Sequence, residues 1–304
     1  MKISVIGSYG IGLTMHVDHV PGPGETLIGG QFSRGPGGKG SNQAIAAARL
    51  GAEVAFLTAI GSDEYALMAQ ELWRHEGVDA SSVVHAKAAT MVGMILVTPD
   101  GENRIAISPG ALLELTDNDV EGFRVRIRES VLTLVSMEIP LPVVIAALRV
   151  ARDESKMTVL NPAPATPLPD SVWSLIDVIT PNRSEVNILL GRAPSDETSP
   201  DDLLDALRNR FDGGIVLTLG SDGALVDDGR QRTNLPALPV LQVIDTTGAG
   251  DAFTAALAVS LAEGRGLAEA AVYANAAGAY AVSKSGVIDA LPTRTDIDKL
   301  YNVR

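Results

Sequence analysis

Short apolar runs recur along this chain at residues 3–6, 54–58, 131–137, 158–160, 178–179, 214–218 and 224–226. Their length and their β-branched content mark them as strands. Between and after them lie segments of helical character at 63–75, 142–153, 252–263 and, rich in alanine, 267–284. Strands that alternate with helices imply an α/β fold, with a mostly parallel central sheet and helices on both faces. In such sheets ligands collect at the carboxyl ends of the strands, so polar residues that directly follow an apolar run are the ones of interest. A different pattern interrupts the first third of the chain. Residues 14–20 and 29–34 alternate in character, as a strand with one covered face does, and together with 91–98 and 104–108 they predict a small sheet apart from the main core.

Composition narrows the functional classes. The 304 residues are 46% hydrophobic, enough to bury the core of one large domain. A formal net charge of -13 with dispersed lysines and arginines argues against a nucleic acid held through its phosphates, so any phosphate site must be local. The absence of cysteine excludes disulfides and thiolate metal sites and fits a reducing compartment. No apolar run approaches the length of a membrane span, and the expected location is the cytoplasm.

The densest candidate chemistry is Asp245-Thr246-Thr247-Gly248-Ala249-Gly250-Asp251, which leads into the helical segment at 252–263. Gly248 and Gly250 let the backbone approach a ligand, and a helix start offers unpaired N–H groups and the positive end of a dipole to a phosphate. If that anion is a transferring phosphoryl group, Asp251 is positioned to accept the proton of an attacking hydroxyl. The amides of Gly248, Ala249 and Gly250 would then neutralise developing charge. A helix cap behind a glycine loop is the plainer reading of the same residues. A second glycine-rich segment, Gly35 through Gln43, precedes small residues at 44–50 that read as a helix ended by Gly51. It is not a Walker A loop, because Gly40 follows Lys39. Asn42 within it can donate and accept at once, which suits a hydroxyl.

Polar residues behind other apolar runs are Glu138 after 131–137 and Asn161 after 158–160. Asn182 and Glu185 have the spacing of a capping box, and Thr218-Leu219-Gly220-Ser221-Asp222-Gly223 is a turn whose two glycines permit close backbone approach. Asn275 is a polar residue inside the alanine-rich helix. Residues 7–12 read as a turn after the first strand, and their spacing is not that of the dinucleotide fingerprint.

The block at 245–251 resembles the C-terminal signature Asp-Thr-x-Gly-Ala-Gly-Asp of the ribokinase-like, or PfkB, carbohydrate kinases, and 37–42 resembles their N-terminal Gly-Gly-Lys-Gly-x-Asn. The run Asn161-Pro162-Ala163-Pro164-Ala165 fits the same family in a structural role. The resemblance implies a ribokinase-like, Rossmann-type three-layer domain over residues 1–304, with a discontinuous β lid from about 13–34 and 91–108 over the sugar. It further implies an ATP-dependent kinase acting on the primary hydroxyl of a pentose or related sugar. A nucleoside kinase of the same family is the alternative, and a non-catalytic sugar or nucleotide sensor a further one.

The same resemblance assigns roles. Asp251 is the base; Gly38, Lys39, Gly40, Asn42 and Glu138, with the turn at Gly10 and Gly12, bind the sugar. Asn182, Thr218, Gly220, Ser221, Gly223, Gly250 and Asn275 line the nucleotide site. Asn182 and Glu185 arrange water around Mg²⁺, a hard cation that prefers oxygen and water. Asp245 and Thr247, with the carbonyls of Ala281, Lys284 and Gly286, form a monovalent cation site for K⁺. The expected partner is a second copy, paired through the lid. One departure stands out: where ribokinases of this family have Gly-Ser-x-Asn-x-Asp, this chain has Gly7-Ser8-Tyr9-Gly10-Ile11-Gly12. Losing a hydrogen bond to a charged acceptor costs about 1.5 to 3 kcal/mol. The resemblance therefore predicts weak turnover of ribose unless Tyr9, His16 or Asp18 supplies the missing contacts.

Overall fold

The computed structural model describes residues 1–100 and 103–301. Its frame is a sheet in the order Arg232–Leu235, Ala224–Asp227, Gly214–Thr218, Val178–Ile179, Met157–Asn161, Leu132–Ser136, Lys2–Ile6 and Glu53–Leu57. From Glu53–Leu57 across to Gly214–Thr218 every pairing is parallel, and the last two strands are added antiparallel. Successive side chains on a strand point to opposite faces. Hence Ile3, Val5, Leu134 and Val216 join one core with the helices Lys39–Arg49, Glu64–Glu76, Ala249–Ala262 and Leu267–Val282. Ile6, Val135, Ile215 and Leu217 join a second with Asp117–Glu129, Leu141–Asp153, Arg183–Leu189 and Pro200–Arg208. Alanines dominate where Ala249–Ala262 and Leu267–Val282 pack on each other, so the two backbones lie close and Asp251 is held against a rigid pair.

A separate sheet has the order Phe32–Gly37, Gly10–His16, Met91–Val97 and Asn103–Ser108. This is the expected small sheet, with shifted limits: its first strands begin at Gly10 and end at Gly37. Residues 101–102 of the expected lid and 302–304 of the expected domain lie outside the described residues. Residues 10–12 are strand rather than turn. Glycine propensity pointed to a turn, but Gly10–His16 pairs on both sides, with Gly12 opposite Gly35 and Gly93.

Two helices begin earlier than their apolar patterns suggest, at Lys39 instead of 44 and at Ala249 instead of 252. In both, a glycine with positive φ turns the chain into the first helical residue: Gly38 at 91° and Gly248 at 80°. Residues 243–244 belong to no strand, and the Ile244 amide donates instead to the Val282 carbonyl at 2.8 Å. The helices Asp117–Glu129, Pro200–Arg208 and Arg294–Tyr301 and the strand Arg232–Leu235 carry polar outer faces that obscured them in the apolar pattern.

Candidate active site

Asp251 stands in the first turn of Ala249–Ala262 and is only 6% exposed. The first intrahelical bond runs from the Ala252 amide to the Gly248 carbonyl, so the amides of Gly250 and Asp251 precede the helical ladder. Its carboxylate is gripped from one helix: Asn42 Nδ2 donates to Oδ2 at 2.7 Å and Gln43 Nε2 to Oδ1 at 3.0 Å. Burial pushes the Asp251 carboxyl above its ordinary pKa, against the pull of the Lys39 ammonium and of these two amides. A carboxylate tuned upward is a better proton acceptor than one on the surface.

Lys39, at the start of the same helix, completes the charge balance. Burial opposes its charge, and the carboxylates of Asp251, Glu138 and Glu185 more than offset that, so its pKa lies above the ordinary lysine value. Glu138, just past Leu132–Ser136, accepts from Ser8 Oγ at 2.5 Å and from the Lys39 amide at 3.0 Å. The ends of two parallel strands are thereby tied to the glycine loop at 37–40. Gly40 is required there for space, since a Cβ would lie 2.5 Å from the Gly7 carbonyl carbon.

A groove of about 710 Å³ opens beside this centre, lined by Asn182, Ser184, Asp196, Thr218 and Gly220 among others. Asn182 caps the Arg183–Leu189 helix: the Glu185 amide donates to its Oδ1 at 2.9 Å, and the Asn182 amide donates to Glu185 Oε2 at 2.8 Å. The Asn182 oxygen is thus engaged, and what it offers the groove is its amide NH₂. Burial raises the Glu185 carboxyl, partly countered by the Asn182 amide and the Lys39 charge. Thr218 lies alongside Asn182, its amide donating to the Pro181 carbonyl at 2.9 Å. Gly223 sits where a Cβ would be 2.0 Å from the Leu235 carbonyl oxygen, so the turn after Thr218 demands glycine, whereas Gly220 faces open space. Ser221 shares the short helical turn Gly220–Asp222 with it.

Asn275 donates to the Pro236 carbonyl at 2.7 Å, which holds the 236–244 segment against its helix. That segment exposes Leu241, Val243 and Ile244 directly before Asp245. Asp245 in turn joins the loops named for the cation: the Thr247 amide donates to Oδ1 at 2.9 Å and the Gly286 amide to Oδ2 at 3.3 Å. The Ala281 carbonyl accepts the Lys284 amide, and the Lys284 ammonium lies 5.3 Å from the centre of the Tyr280 ring. Among the described residues no cluster of three or more acidic or histidine side chains forms an all-protein metal centre. The donors present fit a Mg²⁺ held chiefly by phosphate and water.

The two departures at the lid are physically different. A Cβ on Gly10 would fall 2.5 Å from Met91 Cε and 2.7 Å from the Met91 carbonyl, so Met91 occupies the volume a side chain would need. A Cβ on Gly12 would make only ordinary contacts, with Ile95 Cδ1 at 3.5 Å and the Gly35 carbonyl oxygen at 3.9 Å, and neither glycine has positive φ. Tyr9 does not stand in for the lost contacts: it is fully buried, edge-on to Trp73 at 5.0 Å, with its hydroxyl on the Tyr65 carbonyl. Its side chain points away because it alternates with Gly10. Asp18 and His16 are exposed at the far end of the lid strand.

Gln43 and Ser8 belong to this network and were not singled out by the sequence. Neighbours on a helix normally face different ways, and only the close approach of Lys39–Arg49 to Ala249–Ala262 lets both Asn42 and Gln43 reach one carboxylate.

Comparison with known proteins bears on the family and the fold. The model of the pfkB family carbohydrate kinases matches residues 1–294. The ribokinase of Haemophilus influenzae is 36% identical over 296 residues, 97% of this chain and 96% of that protein. Among solved structures, the ribokinase of Thermotoga maritima superposes with a TM-score of 0.88 at 29% identity, covering 99% of each chain. The ribokinase of Arabidopsis thaliana, complexed with ribose and ATP, gives 0.88 at 27% identity, covering 99% of this chain and 98% of that one.

Proposed function

The chain belongs to the pfkB family of carbohydrate kinases, and from that premise we propose that it transfers the γ-phosphoryl group of ATP to the primary hydroxyl of a pentose or related sugar, with Asp251 as base. It is a phosphotransferase with an alcohol acceptor and uses ATP as donor. The observation that carries the role of Asp251 is its burial at a helix start, with one amide donor on each oxygen and Lys39 close by. A carboxylate has about four acceptor positions. Two are taken, and two remain for an incoming hydroxyl.

In this reading the substrate hydroxyl donates to Asp251, loses its proton there and attacks the γ-phosphorus, while the bond from that phosphorus to the β,γ-bridging oxygen breaks and ADP leaves with the electron pair. The amides of Gly248 and Gly250 and the Lys39 ammonium receive the negative charge that spreads over the phosphoryl oxygens, with the Asp251 amide in place of the expected Ala249, whose amide bonds the Thr246 carbonyl at 3.3 Å. Mg²⁺ supplies further neutralisation of the phosphates, with Glu185 and the NH₂ of Asn182 on that side. Asn42 Oδ1 is buried and without a partner among the described residues, and a sugar hydroxyl would satisfy it. Glu138, Gly38, Lys39 and Gly40 form the rest of the sugar wall, and Gly12 leaves space at its lid end. Thr218, Gly220, Ser221, Gly223 and Asn275, with the exposed Leu241–Ile244 segment, take the nucleotide. Asp245, Thr247 and the carbonyls of Ala281, Lys284 and Gly286 are assigned to K⁺.

The second copy of this chain is the partner we assign to the lid. Met15, Phe32 and Met94 are 37%, 58% and 53% exposed, and they share one face by register. Pairing that face would cover apolar surface that a lone molecule leaves in water. The enzyme works in the cytoplasm, where ATP is at hand. The open space at Gly12 keeps a nucleoside kinase as the second reading. A panel of pentoses, deoxypentoses, hexoses and nucleosides scored for ADP release tests both: sugar turnover supports the first, exclusive nucleoside turnover the second, and no turnover of any member refutes both.

A further inference from the structure

The carboxylate of Asp251 is oriented by a chain of side chains that begins at a backbone carbonyl. Asn161 Nδ2 donates to the Thr180 carbonyl at 3.3 Å, and a carbonyl can only accept, so the Asn161 amide cannot be reversed. Its Oδ1 therefore faces Gln43 and needs a donor, which Gln43 Nε2 provides at 3.0 Å. The second hydrogen of the same Nε2 goes to Asp251 Oδ1 at 3.0 Å. Reversing the Gln43 amide would set its oxygen against two acceptors at once. Both N–H bonds are thus spent, and Gln43 Oε1 stays buried with no partner among the described residues. Gln43 is fully buried and both its donors are taken by protein, so we place its action on Asp251 rather than on the substrate. The Thr180 hydroxyl lies 3.3 Å from that of Thr254, one helical turn beyond Asp251, which ties the same strand end to the base's own helix.

We propose that Gln43 is a positioning residue for the base: relayed from the Thr180 carbonyl through Asn161, it fixes the Asp251 carboxylate and holds it ionised in a buried site. An unmatched oxygen on Gln43 costs folding stability. The arrangement persists because the donor is needed on the other side. A buried carboxylate stripped of one such donor shifts toward its neutral form.

The inference rests on Asp251 being the base, and the test separates the two. Full-length wild type, Gln43→Met and Gln43→Glu are purified, melted and assayed for ADP release between pH 5 and 9 on the best sugar of the panel, with Asp251→Asn as reference. Gln43→Met keeps the shape and removes both donors; its acid limb of kcat/KM should move up by about one pH unit, with KM for ATP unchanged. Gln43→Glu places a second carboxyl against Asp251 and should move the limb further. The nucleotide's own titration is common to all and cancels in the comparison. A merely structural role would lower activity by one factor at every pH, in step with melting temperature, and that result overturns the proposal. Should Gln43→Met not fold, Gln43→Glu decides alone, and a limb unchanged from wild type overturns it too. If Asp251→Asn itself retains wild-type turnover, the assignment of the base has failed rather than the relay.

Discussion

Replacing Gly250 by alanine separates chemistry from folding by sign. Gly250 is the second residue of Ala249–Ala262, exposed, without positive φ, and a Cβ built on it meets nothing within 4 Å. Folding should therefore tolerate Gly250→Ala, and the helix gains up to about 0.5–1 kcal/mol from the lost backbone freedom of glycine. The methyl group enters open space at the helix start, where the phosphoryl group is assigned. A displacement of about 1 Å at the reacting centre costs on the order of 100-fold in rate, equivalent to about 2.7 kcal/mol. Gly122 provides the matched control: it is exposed in the middle of Asp117–Glu129, likewise without positive φ, and its Cβ also meets nothing. Gly122→Ala should share the gain in stability and keep full turnover. The two variants and wild type are compared by thermal melting and by coupled ADP release at saturating ATP. A Gly250→Ala enzyme with kcat within about threefold of wild type would refute the phosphoryl assignment, and so would a fall in activity matched by a fall in melting temperature.

Asp251→Asn should leave ATP binding nearly unchanged and lower kcat by about 100-fold or more, read by calorimetric ATP titration and steady-state kinetics. Because burial raises the Asp251 carboxyl, the ionised base is lost as pH falls at a higher pH than for an ordinary aspartate near 3.9, so the acid limb of kcat/KM should lie above that value in a pH profile. At the lid, Met94→Glu puts a charge on the exposed apolar face and should convert a dimer to monomers by light scattering; a wild type that is already monomeric at micromolar concentration sinks the pairing. Gly12→Asp has room beside Ile95 and no φ penalty, so it should fold normally and lower KM for ribose while impairing the preferred substrate. Unmodified enzyme that turns over ribose with kcat/KM of about 10⁴ M⁻¹s⁻¹ or more removes the premise of that experiment.

The fold was legible where one physical rule dominates. Strands such as Leu132–Ser136, within the run 131–137, are buried on both faces of a parallel sheet and announce themselves by apolar content alone. Legibility failed where tertiary pairing overrides propensity. Gly10 and Gly12 are poor strand formers, yet neighbours on both sides supply their ladder, and a strand with two partners does not depend on its own β preference. Lys39–Arg49 gains its first turn, despite its glycines, because Gly40 must lie against Gly7 and the Ser41 amide bonds the Ser8 carbonyl at 2.8 Å.

At the site, the sequence exposes residue types and hides directions. Gly10 and Gly12 read as one loss, two side chains missing from one turn. In space, Met91 closes the first volume and nothing closes the second. An asparagine at position 10 would require Met91 to move, and Met91 follows Thr90, whose amide and hydroxyl are both held by Asp63 at 2.7 and 2.8 Å. Restoring position 10 is therefore an overpacking problem, whereas restoring position 12 is a choice of charge. The apolar Met91 and the bare Gly12 also bear on what the enzyme accepts. A site built to bond a substrate hydroxyl rejects analogues without it, because its own polar groups would go unpaired. Gly10, Gly12 and Met91 offer no such groups at this end, so in the proposed reading discrimination falls to the end that keeps them, at Asn42, Glu138 and Asp251.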